Sequence, residues 1–418
     1  METLAIVVIA YNREKSLVRL LDSLTNAYYP EDIDVPLIIS VDKSDNDAVG
    51  KIAKDYVWEH GDKTVQLHEE NLGLRKHVLL CGDIVNQYDG IIVLEDDLFV
   101  SPSFYMYAIE ALDYARGEKR IGGISLYNHC MNVHVREPFL AIDDGYDNYY
   151  FQFASSWGQA YRREQWEAFR EWYKENEDKP VEAANVPANV SSWSDKSWLK
   201  YYIKYLIDTD RYFLYPRISY TTNFSDEGTH ATEGGNDLQV PLAGMRKYRQ
   251  FDFHFSSLEE SRAVYDAFFE NMRLGNRFPE ATDGKVTVDL YGYKAEEIYD
   301  RYVLSCKPLP YRILQSYGRC LRPIDANIDF KIEGKDFFLY DKEKSGAAPK
   351  VELVSKHLYN YRAIKAREMR EIIKYRFISA TPFGKKKVSV KKVNSRKAVK
   401  EATETTNTTT QTKEQENN

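Results

Sequence analysis

The sequence predicts an α/β fold, in which a Rossmann-like, mostly parallel β-sheet carries helices on both faces and an α-rich C-terminal extension follows. The first observation is that short apolar runs alternate with amphipathic stretches over residues 1–117, as in strands buried on both faces and joined by helical crossovers. The second is that 43% hydrophobic and 29% charged residues are ordinary for a globular protein. The third is that no apolar run approaches the length of a membrane span.

Four strands and four helices are predicted to alternate in the first part of the chain. The strands lie at 4–10, 36–42, 64–69 and 90–97, and the helices at 16–24, 47–60, 73–85 and 101–116. The first apolar run is short and follows no basic segment, so we expect a strand there and not a signal peptide. In the fourth helix, Ser101 is the predicted N-cap and Pro102 lies in the first turn. Ligands of parallel sheets bind beyond the carboxyl ends of the strands, so the polar residues that follow these strands are expected to meet at one edge.

The rest of the chain has a mixed pattern. It predicts a strand at 121–127, a loop leading into a helix at 155–175, a loop at 178–193, a helix at 194–210, a strand-like segment at 211–223 and a Gly-rich loop at 226–241. We predict a first domain at 1–250, with halves at 1–117 and 118–250. An α-rich extension of unknown role is predicted at 251–382, with strands at 285–291 and 329–340. A disordered basic and then polar tail is predicted at 383–418.

Charge and cysteine content narrow the class of protein. A net charge of −7 argues against a nucleic-acid-binding protein. The four cysteines show no metal-site spacing, so we expect reduced thiols in a cytoplasmic protein. Aromatic residues make up 14% of the chain, which suits a sugar-binding surface; a compositional habit of the source organism explains the same number equally well.

Three carboxylates directly follow the predicted strand at 90–97. The apolar run from Ile91 to Leu94 leads straight into Glu95, Asp96 and Asp97, and three such groups repel one another unless they are solvated or bind a cation. At the end of a buried parallel strand, the cluster suits a hard divalent cation such as Mg²⁺ or Mn²⁺, which takes oxygen ligands and often only one or two carboxylates. Such a metal would neutralise the charge of a departing diphosphate.

Several segments together resemble a known family. VVIAYNRE, IISVDKS, ENLGLRKHV and IIVLEDDLFVSPSF resemble the nucleotide-sugar half of a GT-A glycosyltransferase, in particular family 2-like bacterial sugar transferases and the N-acetylglucosaminyltransferase I type. SSWGQAYRREQWEAF and the segment from SWLKYYI to EGTH are similar to the acceptor half of bacterial sugar transferases. The resemblance spans residues 4–235.

The resemblance implies a function as well as a GT-A fold. It implies an inverting, hexosyltransferase-type enzyme that moves a sugar from a nucleoside-diphosphate sugar, with a UDP-sugar favoured, to a glycan or lipid-linked glycan acceptor. The implied cofactor is Mn²⁺ or Mg²⁺, and the implied setting is the synthesis of a surface polysaccharide or glycoconjugate. The expected location is the cytoplasm, with attachment to the inner face of the membrane as an alternative.

The resemblance assigns the metal site to the carboxylate cluster. Asp97 would bind the metal directly, while Glu95 and Asp96 would contact ribose, sugar or metal-bound water. His230 would supply a late metal or phosphate contact from the Gly-rich loop, although a lone histidine is more often structural. Its neighbour Asp226 is expected to be solvated.

Donor-binding roles are implied for four further residues. Asp42 would recognise the nucleotide base, with a strand-to-turn cap as the alternative, and Arg13 would lie near the same pocket. Arg75 and Lys76 would hold the diphosphate or the sugar; the alternative for both is a solvated helix end.

The acceptor side supplies the candidate catalytic base. Asp195 matches the family's base, which would deprotonate the acceptor hydroxyl, although it could instead be the favourable N-terminal charge of a helix. Reserve candidates are Asp143, Asp144 and Asp147. Trp157 would stack on an acceptor sugar, with packing in the core as the alternative.

Two interpretations are open for the basic C-terminal region. Residues 355–378 predict a helix with a broad apolar side and many Lys and Arg residues, and KKKVSVKKVNSRK follows at 385–397. The helix could dock on the catalytic domain, or residues 355–400 could contact a membrane surface, where each Lys or Arg is worth about 1 kcal/mol near anionic lipid.

Two other functions compete with sugar transfer. A sugar-nucleotide pyrophosphorylase shares the layout but carries a Gly-rich loop after the first strand, and YNREKS contains no glycine. A non-catalytic glycan-binding or scaffold protein that keeps the fold would bind metal and nucleotide weakly or not at all.

Overall fold

The computed structural model describes residues 4–224, 226, 238–244, 251–279, 281, 285–351, 353–361 and 363–379. The chain divides into two compact units, at residues 1–352 and 353–418. All of the described strands belong to the first unit.

The elements follow one another in this order. The strands are β1 (Leu4–Ala10), β2 (Leu37–Val41), β3 (Lys63–Leu67), β4 (Gly90–Glu95), β5 (Leu98–Val100), β6 (Ile121–Ser125), β7 (Met131–Asn132), β8 (Glu137–Pro138), β9 (Asn148–Phe151), β10 (Gln159–Arg162), β11 (Tyr212–Pro216), β12 (Thr221–Asn223), β13 (Val264–Tyr265), β14 (Val286–Asp289), β15 (Tyr302–Ser305), β16 (Tyr311–Tyr317) and β17 (Phe337–Ser345). The helices are α1 (Glu14–Thr25), α2 (Asp47–Asp55), α3 (Leu74–Asp83), α4 (Phe104–Tyr114), α5 (Arg163–Asn176), α6 (Ala188–Ser191), α7 (Leu199–Asp208), α8 (Ala326–Asp329), α9 (Leu353–Tyr361) and α10 (Ala366–Ser379).

The main sheet explains why the first strand is entirely apolar. Within the described residues this sheet has nine strands in the order β13-β9-β11-β6-β10-β4-β1-β2-β3, so β1 lies between β4 and β2. Val7 and Ile9 pack into one core cluster, whereas Ile6 and Val8 pack into a second. Because alternate residues of a strand point to opposite faces, β1 is buried on both sides, as the sequence predicts.

The parallel strands bring the polar residues that follow them to one edge. β1 pairs in parallel with both β2 and β4, with Ile9 opposite Glu95 and Ala10 opposite Val41. The three strands therefore end at the same level. The turn leading to α1, the residue after β2 and the carboxylates after β4 all lie at this edge, which we call the carboxyl edge.

The predicted α-rich character of residues 251–382 is wrong for most of that stretch. β13 joins the main sheet beside β9, and β14, β15, β17 and β16 form a second sheet. The strands predicted at 285–291 and 329–340 overlap β14 and β17. β15 is buried along its whole length, and its sequence lacks the period-two alternation that distinguishes a strand from a buried helix. The predicted domain boundaries at residues 250 and 382 stay a prediction.

Some predicted elements differ in their boundaries. α4 begins at Phe104, so Ser101 is not its N-cap; its hydroxyl instead accepts a hydrogen bond from the Ser103 amide (3.2 Å). β10, which runs antiparallel between β4 and β6, was expected to be part of a loop. The helix predicted at 194–210 begins only at Leu199.

The second unit contains two helices where the sequence predicts one. α9 and α10 replace the continuous helix expected at 355–378, and the predicted tail at 383–418 lies outside the described residues. No helix in the described part of the chain is long and apolar enough to cross a membrane.

Candidate active site

An arginine from the first strand–helix turn holds two of the three carboxylates. Arg13 Nη1 donates to Asp97 Oδ2 at 2.8 Å, and Arg13 Nη2 donates to Asp96 Oδ1. The amide of Tyr11 also donates to Asp96 Oδ2 (3.3 Å). These bonds join the end of β1 to the end of β4, which fixes both carboxylates at the carboxyl edge.

The carboxylate cluster is buried, and its charges are poorly compensated. The Asp96 side chain is 2% exposed and the Asp97 side chain 12%, whereas Arg13 is 25% exposed. Burial raises the pKa of Asp96 to about 6, opposed by the charge of Arg13. Burial also raises the pKa of Glu95, and the charge of Asp97 raises it further. Burial alone would lower the pKa of Arg13, but the two aspartates raise it above its usual range.

One carboxylate oxygen in the cluster is free to bind a ligand. Asp97 Oδ1 is buried and has no hydrogen-bond partner among the described residues. A buried oxygen of this kind is costly unless it is compensated, and a carboxylate oxygen is a ligand that Mg²⁺ and Mn²⁺ accept. The described residues contain no group of three or more His, Cys, Asp or Glu that could hold a metal ion. Asp97 therefore fits a metal that takes most of its ligands from substrate and water.

Asp42 is mainly engaged with the backbone. Its carboxylate accepts hydrogen bonds from the amides of Lys43 (2.9 Å), Leu72 (2.8 Å) and Gly73 (3.1 Å). These bonds tie the end of β2 to the turn before α3, as the strand-to-turn alternative predicted. Because a carboxylate has about four acceptor positions, roughly one is left for a nucleotide base.

The two basic residues at the start of α3 have different surroundings. Arg75 donates to the Tyr201 hydroxyl (3.1 Å), and its guanidinium lies 5.3 Å from the centre of that ring. Arg75 therefore links α3 to α7. Lys76 is exposed and pairs with Glu70 at 3.5 Å, as expected of a solvated helix end.

Asp195 lies in the loop before α7 and is open to solvent. Its side chain is 94% exposed, and Oδ1 accepts a hydrogen bond from the buried Lys200 ammonium (2.8 Å). That hydrogen bond and the Lys200 charge lower the pKa of Asp195, with a smaller contribution from Arg75. Since α7 begins at Leu199, Asp195 is not the first-turn charge of the helix.

The reserve candidates for the catalytic base form hydrogen bonds outside the carboxylate cluster. Asp144 is 2% exposed and accepts hydrogen bonds from Arg217 (2.6 Å) and Ser261 (3.0 Å). Asp147 accepts the His254 amide (2.8 Å), and Asp143 accepts the Gly145 amide (2.9 Å). Asp144 and Asp147 therefore anchor loops to one another.

Residues 5–164 match the family model described as glycosyl transferase family 2. This segment, less than half of the chain, is similar to family 2 glycosyltransferases. It contains β1 to β4, the whole carboxylate cluster and Asp42, and the fold is that of the GT-A class.

Solved chains that match this one include a mannosyltransferase and S. aureus TarS. The mannosyltransferase PcManGT from Pyrobaculum calidifontis, in complex with GDP-Man and Mn²⁺, is 12% identical; the match covers 41% of this chain and 46% of that one, with a TM-score of 0.30. S. aureus TarS 1–349 is 16% identical, with 53% and 60% covered and a TM-score of 0.34. Its complex with UDP-GlcNAc is 14% identical, with 56% and 61% covered and a TM-score of 0.35. The matches span 46–61% of these solved chains. No curated protein matches the sequence.

A segment far along the chain lies beside the carboxylate cluster. β12 pairs with β5, directly after the carboxylates, and the Phe224 amide donates to the Asp97 carbonyl (3.2 Å). Asp226, expected to be solvated, instead accepts hydrogen bonds from Ser16 (2.7 Å) and Arg19. His230 lies outside the described residues. The described residue Phe224 therefore lies next to Asp97.

Trp157 lies in an aromatic cluster of the acceptor half. It is half-buried, with its ring centre 4.8 Å from that of Tyr127 and 5.6 Å from that of His129. Its carbonyl accepts a hydrogen bond from Thr221 (2.5 Å), the first residue of β12. Part of the Trp157 ring is thus covered by its aromatic neighbours, and the exposed part is available to a ligand.

Proposed function

We propose that the chain transfers a sugar from a nucleoside-diphosphate sugar, with a UDP-sugar favoured, to a glycan or lipid-linked glycan acceptor. The observation that carries the proposal is the buried, unpartnered Asp97 Oδ1 at the carboxyl edge of a family 2 glycosyltransferase domain. A cation at the diphosphate would stabilise the charge of the leaving group, and this oxygen is the group best suited to hold one.

Asp97 would hold Mn²⁺ or Mg²⁺ through Oδ1. When bound, the cation would neutralise the charge that develops on the departing nucleoside diphosphate. Arg13 fixes the orientation of Asp96 and Asp97 through its two hydrogen bonds. Arg75 points from the start of α3 towards α7 and would add positive charge for the diphosphate.

Asp195 would act as the general base. Its lowered pKa keeps the carboxylate ionised, and its exposure leaves it accessible to an acceptor hydroxyl. The hydrogen bond from Lys200 leaves one carboxylate oxygen for the acceptor proton. In this proposal the acceptor attacks the anomeric carbon from the face opposite the diphosphate, so the configuration inverts.

The acceptor and the cellular setting belong to the same proposal. We propose that the product enters a surface polysaccharide or another glycoconjugate, and that the enzyme works in the cytoplasm. These points rest on the resemblance of the acceptor half to bacterial sugar transferases. A half-buried Trp157 near the site is consistent with a sugar acceptor, because an aromatic ring offers a flat apolar face.

Calorimetry of donor binding tests the proposal. UDP-sugars and GDP-sugars are titrated into the protein with and without Mn²⁺, for the wild type and for Asp97→Asn. We expect metal-dependent binding of one donor class in the wild type and its loss in the variant. Asp143→Asn, which neutralises an exposed loop carboxylate, is the control and should bind as the wild type does. A folded wild type that binds no donor with metal present would favour the non-catalytic glycan-binding alternative.

A further inference from the structure

α10 carries a face of exposed apolar side chains. Met369 is 36% exposed, Ile372 46%, Ile373 60% and Phe377 78%. Residues three and four positions apart lie on the same side of a helix. Met369, Ile373 and Phe377, each four positions from the next, therefore form one continuous apolar face, and Ile372 lies three positions from Met369. A single exposed apolar residue needs no explanation, but a contiguous face of this kind marks an interaction surface.

A strip of positive charge borders this apolar face. Arg367, Arg370 and Lys374 are exposed and follow one another at helical spacing, on the flank next to Ile373 and Phe377. Residues 366–397 contain eleven Lys or Arg and only two Glu, although the whole chain has a net charge of −7. The basic character is therefore concentrated in α10 and the sequence that follows it.

We propose that α10 binds the surface of an anionic lipid bilayer. The apolar face would enter the boundary between headgroups and acyl chains, and the basic strip would face the anionic headgroups. Lipid fits better than a protein groove as the occupant, because the positive charge continues to residue 397, well beyond the end of the helix. A groove on a partner protein would bind only the helix, whereas an anionic membrane surface would attract all the positive charges from residue 366 to residue 397.

The inference does not depend on the proposed sugar transfer, since it uses no residue of the glycosyltransferase site. It would place the enzyme where a lipid-linked acceptor is found. Lipid binding is measured directly, so a failure of donor binding and a failure of lipid binding are separate results.

Vesicle flotation with the full chain tests the apolar face. The vesicles contain phosphatidylcholine alone, or phosphatidylcholine with about one third phosphatidylglycerol, whose negative surface potential attracts basic segments. We expect binding only to the anionic vesicles. Ile373→Ser combined with Phe377→Ser should weaken it by roughly tenfold or more. Ile378→Ser makes the same kind of change on the opposite side of α10 and should have little effect.

A second pair of variants tests the charge. Arg370→Gln with Lys374→Gln should weaken binding by roughly 25-fold, about fivefold for each charge near an anionic surface. Lys51→Gln with Lys54→Gln, two exposed lysines of α2, should leave binding unchanged. High salt should release the wild type from the vesicles because it screens the attraction.

Three results would overturn the inference. The first is that the intact protein fails to bind anionic vesicles at low salt. The second is that it binds phosphatidylcholine and anionic vesicles equally. The third comes from light scattering: if Ile373→Ser with Phe377→Ser converts a lipid-free dimer to a monomer while vesicle binding is unchanged, the face serves a second copy of the chain and not a membrane.

Discussion

Replacing Arg13 by methionine would test whether this arginine stands in for a cation at the carboxylate cluster. Methionine keeps the apolar stem and removes the guanidinium, which is bonded to both Asp96 and Asp97. Without it, two largely buried carboxylates lose their compensating charge. The expected results are a less stable protein and a site that binds divalent metal more readily.

The size of the stability loss follows from burial. Breaking a buried ion pair by removing one partner costs about 3–5 kcal/mol. Asp96 is 2% exposed, but Arg13 is 25% exposed and partly screened by water, so we expect about 2–3 kcal/mol. Asp96→Asn removes one of the stranded charges. The double variant, Arg13→Met with Asp96→Asn, should therefore lose less free energy of unfolding than the two single variants lose together, by about 1 kcal/mol or more.

Urea unfolding with and without Mn²⁺ measures both effects. In the Arg13→Met variant, Mn²⁺ at tenfold above its Kd should restore about 1.4 kcal/mol, and the gain should exceed that of the wild type, in which Arg13 competes for Asp97. Arg217→Met is the matched control, because Arg217 holds Asp144, another carboxylate that is 2% exposed. It should lose comparable stability and gain nothing from Mn²⁺.

Two outcomes would refute this reasoning. If Arg13→Met is as stable as the wild type, the two hydrogen bonds contribute little and the cluster is compensated in another way. If the variant is destabilised but Mn²⁺ stabilises it no more than it stabilises Arg217→Met, the carboxylates are a structural ion-pair site and not a metal site.

Three further predictions concern single residues. Asp195→Asn should lower the transfer rate at least 100-fold while leaving donor affinity, measured by calorimetry, unchanged; equal losses in rate and affinity would argue against a general base. Burial lowers the pKa of His77 from 6.5 to about 4, so on acidification His77 is protonated in the unfolded chain before it is protonated in the folded one. The free energy of unfolding should therefore fall by about 3 kcal/mol as the pH drops from 6.5 to 4. Unfolding curves for the His77→Gln variant should show less of this decline, and an unchanged slope would contradict the assignment. Gly82→Ala would place a Cβ 1.9 Å from the Trp166 ring, so thermal unfolding should show that the free energy of unfolding falls by about 1–3 kcal/mol. An unchanged free energy of unfolding would mean that α3 can shift to make room.

The sequence is most informative where a strand is buried on both faces. β1 has the bounds predicted for it, 4–10, because every residue of that run is apolar and both faces of the strand are covered. β10 was missed because it is four residues long and leads directly into α5. In such a short run, alternation cannot be distinguished from the first turn of a helix.

The position of the carboxyl edge could be predicted from the sequence, but the hydrogen bonds that form there could not. Parallel topology alone brings the ends of β1, β2 and β4 together. The bonds from Arg13 to the carboxylates cross more than 80 residues, and the contact between Ser16 and Asp226 crosses 210. No local pattern encodes such pairings, because they depend on where the intervening strands place the chain.

The charge balance of the cluster explains why the free oxygen of Asp97 is informative. Glu95, Asp96 and Asp97 bring three carboxylates to one strand end, and Arg13 supplies one positive charge to them. Asp144, a carboxylate away from the cluster, has a partner for each oxygen in Arg217 and Ser261. At Asp97 the arginine is bonded to Oδ2, and the buried Oδ1 is left without a partner among the described residues. A divalent cation would supply the missing charge and the missing partner together, so binding of Mn²⁺ to Asp97 is the step on which the remaining roles depend.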